Sequence, residues 1–126
     1  MLTILARMTE SLANDMVLVY DLRRDRRTRE QLLWGLDEQW QAYRRGERPA
    51  RVADGRITGL FYAPYEGQHM CRLDEGGRQS SWVRQGDESW YVVGRRAKVE
   101  CVTFHAPHPI GDLPVVTRIW IGDADP

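Results

Sequence analysis

Leu33, Leu36, Trp40 and Tyr43 recur at spacings of 3, 4 and 3 residues, the interval that stacks side chains on one face of an α-helix. The pattern predicts a helix over Thr28–Arg45 with that face in a core and Leu32 flanking it. Thr28 and Gln31 give it a capping-box start, and Gly46 followed by Pro49 gives it a stop. Gly35 inside the pattern costs roughly 1 kcal/mol against alanine. A close approach is therefore expected there, such as a strand crossing beneath the helix.

Beyond residue 50 the charged helical pattern gives way to short runs that favour strands. Antiparallel strands are predicted at Arg56–Ala63, Gln68–Leu73, Gln79–Arg84, Ser89–Val93, Ala97–Phe104 and Val115–Ile121. Turn-forming clusters at Pro64–Gly67, Asp74–Gly77, Gln85–Glu88 and Gly94–Arg95 separate them, so hairpins in series are the simplest topology. His105–Pro114 carries three prolines and Gly111. It is predicted as a surface loop, because proline lacks the N–H that a central strand needs. Ahead of the main helix, Thr3–Ala13 is predicted as a short helix and Met16–Leu22 as a strand, divided by a turn at Asn14-Asp15. One continuous helix through Tyr20 is the competing pattern.

A chain of 126 residues suits one domain, residues 1–126, mainly helical over 1–50 and sheet-forming over 56–121. The expected fold is α+β, one main amphipathic helix packed on a curved antiparallel meander of five or six strands. The alternative is a small closed β-barrel carrying the N-terminal helices. Lys98 is the single lysine among 18 basic residues, and these balance 18 acids to a net charge of zero. No overall field therefore draws the chain to nucleic acid or to an anionic membrane. Its longest apolar run, Met16–Tyr20, is far short of the ~20 residues a spanning helix needs. The N-terminus lacks a basic start, and Arg7, Glu10 and Asp15 interrupt it, so a secretion signal is not expected. The expected location is cytoplasmic, with Cys71 and Cys101 as free thiols, and Met1 and Met16 are both workable starts.

His69, Cys71, Cys101 and His105 pair at even strand spacing, so each pair projects from one face, and together they form an acceptable tetrahedral zinc set. Ligands two residues apart on strands are not the usual zinc spacing, however. Buried free cysteines and packed histidines are the simpler account, and no cofactor is expected. No cysteine-enzyme signature surrounds either thiol. His105, His108 and Asp112 sit on the proline-stiffened segment, where a rigid connector competes with a binding surface. A His–Asp pair suits proton transfer near pH 7, but no third oriented group is identifiable, so an enzyme is the less favoured class.

Arg23, Arg24, Arg26, Arg27 and Arg29 form a basic cluster, with Arg44, Arg45, Arg48 and Arg51 at the far end of the helix. Acids are interleaved throughout, which favours a salt-bridged surface over phosphate-backbone binding. Trp34 falls about 140° from the centre of the apolar helix face, so it meets either the N-terminal segment or a partner. Trp90 and Tyr91 are adjacent and, on a strand, would face opposite sides of the sheet. The function these features favour is a non-enzymatic binding module that forms a homodimer, or docks another protein, through Trp34 and sheet aromatics. One alternative is a small-molecule binder or small enzyme with a pocket between helix and sheet near residues 105–114. Another is nucleic-acid binding through Arg23, Arg24, Arg26 and Arg27, which would show steep salt dependence.

Overall fold

The computed structural model describes residues 16–124, so the expected helix at Thr3–Ala13 lies outside the described residues. Strand β1 (Val17–Asp21) leads through a 3₁₀ turn at Leu22–Arg24 into helices α1 (Arg26–Leu32) and α2 (Asp37–Arg44). Strands β2 (Arg51–Ala63), β3 (Gln68–Asp74), β4 (Gln79–Val83), β5 (Arg95–His105) and β6 (Asp112–Ala124) follow. They form one six-stranded antiparallel sheet in the order β1-β6-β5-β2-β3-β4. The chain is thus a mixed α+β fold.

Where one helix was expected, two stand. Gly35 adopts φ +79°, a conformation open to glycine at little cost, and breaks the helix there. The Leu36 N–H closes the turn on the Leu33 carbonyl at 2.9 Å. Asp37 and Glu38 then occupy the first turn of α2, where negative charge complements the helix dipole. No strand crosses beneath Gly35, as nothing lies within 4 Å of where its Cβ would be. The expected capping box is also replaced: Asp25 caps α1 by accepting the Thr28 N–H at 3.1 Å. The apolar spacing nevertheless picked the inward residues. Leu33, Leu36 and Trp40 are buried in the core, and Tyr43 packs against it.

The sheet is open, because its edge strands β1 and β4 share no ladder, so the closed barrel does not form. Nor are the hairpins strictly serial. After β4 the chain returns to the far side of β2, and β5 pairs there. The returning segment is not the strand expected at Ser89–Val93 but a 3₁₀ turn at Glu88–Trp90. Tyr91 anchors it: the buried ring's hydroxyl donates to the Gln85 carbonyl at 2.6 Å and accepts the Gln85 N–H at 3.1 Å.

Two strands, β2 and β6, extend furthest beyond their predicted ends, each for a local reason. β2 begins at Arg51, ahead of the expected start at Arg56, and runs through Gly55. A Cβ at Gly55 would lie 2.3 Å from the Asp74 carbonyl oxygen, so glycine here serves close backbone approach within a strand. β6 begins at Asp112 and includes Pro114, paired with Thr103 of β5. Proline is accommodated because β1 pairs β6 only at residues 118–121, which leaves the other side of Pro114 unladdered. The expected loop shrinks to the residues between His105 and Asp112.

The core is formed by Ala53 and Ile57 of β2, Leu73 of β3, Val99 and Phe104 of β5, and Ile119 and Ile121 of β6, among others. Ladder irregularities between Glu100 and Cys101 shift the register of β5 against β6. Val99 and Val102, three residues apart on β5, are consequently both buried, as are Val115, Thr117, Ile119 and Ile121 on β6.

Candidate functional site

Trp34 projects from the turn between α1 and α2 with 88% of its surface exposed. Its neighbours explain why it stays there. Leu33 and Leu36 are buried on either side, so the turn is fixed to the core while its largest side chain faces outward. Beside the ring lies an open cavity of about 550 Å³ lined by Arg29, Glu30, Leu33, Asp37 and Trp40. Its floor is apolar, its rim carries both signs of charge, and the Arg29 guanidinium stacks 5.2 Å from the Trp40 ring centroid.

The other aromatic candidates are placed differently. Tyr91 is buried and Trp90 packs against the core, so neither faces outward from a strand as the adjacency of the pair suggested. Tyr62 and Tyr65 are exposed at the β2–β3 hairpin.

His105 and Asp112 do meet, across the start of the β5–β6 ladder, with Nδ1 and Oδ1 2.8 Å apart. Gln39 of α2 fixes this end of β5 like a short extra strand: its amide donates to the His105 carbonyl and accepts the His105 N–H, each at 2.8 Å. The pair is held but exposed, at 64% and 77% of the side chains, and among the described residues no third side chain hydrogen-bonds to the imidazole or the carboxylate. His108 lies on the loop beyond, before the cis Pro109 bond.

The four residues of the candidate zinc set, which the spacing disfavoured, are not brought together. Cys71 pairs with Leu60 and Cys101 with Arg51, nine positions apart along β2 and about 30 Å of extended chain. His69 approaches Arg84 on the β3–β4 side, whereas His105 is at the far end of β5. Among the described residues no group of three His, Cys, Asp or Glu side chains is arranged to hold a metal. Both cysteines are free, and burial pushes the Cys71 thiol up to about 11.

Most of the basic cluster is matched by acids. Arg23 grips Asp21 through side-chain bonds of 2.7–3.1 Å, Arg24 lies 4.0 Å from the same carboxylate, and Arg26 bonds Glu30 at 2.8 Å. Burial raises the Asp21 carboxyl, and the Arg23 bonds outweigh it, leaving the group below the usual carboxylate range.

One constellation was not anticipated. Glu100, buried on β5, accepts from Tyr43 of α2 at 2.5 Å, from Thr117 at 2.7 Å, and from Arg118 at 3.0 and 2.6 Å. Desolvation pushes this carboxyl up, but the bonds from Arg118, Tyr43 and Thr117 together outweigh it, so it stays ionised below the ordinary range. The partners lie 57, 17 and 18 residues from Glu100 in sequence. The only sequence signal was an acid inside the apolar run Val99–Phe104 and its approach. Among the described residues no helix is long and apolar enough to cross a membrane. Compared with known proteins, the chain matches no family model and no curated protein.

Proposed function

We propose that the protein is a non-enzymatic interaction module that self-associates through the Trp34 turn. The observation that carries this reading is the exposure of Trp34 on a turn pinned by two buried leucines. Tryptophan is the residue most often found as an interface anchor, and a rigid turn loses little entropy when it docks. A second copy fits the rim. A two-fold interface must be self-complementary, and this patch offers Arg29 and Asp37 on the two helices flanking the ring. The cavity beside the ring gives the partner's indole an apolar floor on Leu33 and Trp40.

The test is sedimentation velocity on the full chain across a concentration series, with Trp34→Glu alongside. The wild type is expected to move from monomer to dimer, and the variant to remain a folded monomer. A wild type monomeric at every concentration overturns the reading, as does a variant that still dimerises. A variant that unfolds also overturns it, because the indole would then be core.

A further inference from the structure

Where α2 ends and the chain turns toward β2, a cavity of about 300 Å³ is lined by Arg23, Tyr43, Arg44, Arg48, Glu100 and Arg118. Its charges do not cancel. Arg118 is taken up by Glu100, and Arg23 by Asp21. The remaining two guanidiniums have no carboxylate: among the described residues Arg44 has no ion-pair partner, and Arg48 bonds only the Thr103 carbonyl, at 2.5 Å. The Arg48 Nε is moreover buried with no acceptor among those residues. Four guanidiniums thus face two carboxylates, a surplus of two positive charges around one small cavity.

We propose that this cavity binds a phosphate-type dianion, with Arg44 and Arg48 as its principal donors. Two uncompensated positive charges match a dianion, and guanidinium forks match the tetrahedral oxygens of phosphate through paired N–H bonds. Arg48 is already held in place. Its guanidinium lies 5.3 Å from the Phe104 ring centroid and is tied to Thr103, so little side-chain freedom remains to be lost on binding. The carboxylates do not repel the ligand strongly, since the oxygens of Glu100 are occupied by Arg118, Tyr43 and Thr117, and those of Asp21 by Arg23. Gly46, which has no side chain, and Ala50 complete the lining, leaving room for the anion.

The experiment is isothermal titration of the full chain, in phosphate-free buffer, with inorganic phosphate and separately with methyl phosphate. Saturable binding is expected, weakened about tenfold by Arg44→Gln and by Arg48→Gln, the loss of roughly one charge-assisted hydrogen bond each. Arg45→Gln, next in sequence but bonded to Glu47 outside the cavity, is expected to bind as the wild type does. Equal affinity for both probes assigns the site to phosphomonoesters, and preference for inorganic phosphate assigns it to the free ion. Absence of saturable binding at millimolar phosphate overturns the proposal, as does an equal loss in Arg44→Gln and Arg45→Gln. Arg48 also packs on Phe104, so should its variant fail to fold, the exposed Arg44 decides the matter alone.

Discussion

Replacing Glu100 by Gln tests whether the buried carboxylate binds helix to sheet. The side chain is 8% exposed and takes four hydrogen bonds, two of them from Arg118. An amide of the same shape offers one acceptor and turns an N–H toward groups that are themselves donors. Removing one partner of a buried ion pair costs about 3–5 kcal/mol. Arg118 remains 30% exposed, so water recovers part of its solvation, and a loss of about 2–3 kcal/mol is expected. Urea titration reads this as a lower midpoint at unchanged slope, and melting as a fall of roughly 10 °C. The pH dependence supplies the sign. Glu100 is held below its ordinary value of 4.5, so its contribution is fully present above that value and is lost as pH falls through the lower folded-state pKa. The gap between wild type and variant should therefore be constant above about pH 5.5 and narrow in more acidic solution. A gap below about 0.5 kcal/mol at neutral pH, or one that widens on acidification, would refute the reasoning.

The interaction reading has a stability corollary: Trp34→Glu should alter the unfolding free energy of the monomer by no more than about 0.5 kcal/mol, since the ring is mostly in water. Gly55→Ala should cost more than Gly35→Ala. The first forces a Cβ to within 2.3 Å of backbone that cannot yield, an overpacking of about 3 kcal/mol. The second only strains one positive φ, at about 1 kcal/mol, and equal urea midpoints for the two would contradict this account. Cysteine alkylation followed by mass spectrometry should label half-buried Cys101 before Cys71, whose thiol, pushed up to about 11, holds only ~0.1% thiolate at pH 8. Labelling of Cys71 first would show that β3 opens more readily than its burial implies.

The sequence by itself determined the order of helical and strand-forming segments, the inward face of the helical region and the placement of Trp34 off that face, though not what Trp34 meets. Those follow from side-chain periodicity along a short stretch of chain, a local property that survives even where the helix breaks. Its errors fall where local chemistry has two uses. Glycine at position 35, expected to admit a neighbouring strand, ended a helix instead, and it is Gly55 that a neighbouring strand approaches. Pro114 was read as excluding a strand, yet it excludes only a ladder on its N–H side, and that side is free because β1 is short.

Tertiary structure alone decided the strand order, the separation of Cys71 from Cys101, and the assembly of Glu100 with Tyr43, Thr117 and Arg118. Each depends on which strands become neighbours. β5 could complete the sheet only by returning past β4 to the free side of β2, and that choice moved the two cysteines apart. The same return brought an acid from β5 under a tyrosine from α2, 57 residues away, in a setting dry enough to require every bond it makes. The arginine-lined cavity arises there because one network neutralises Arg118 and another Arg23, while Arg44 and Arg48 are left facing the space between helix and sheet.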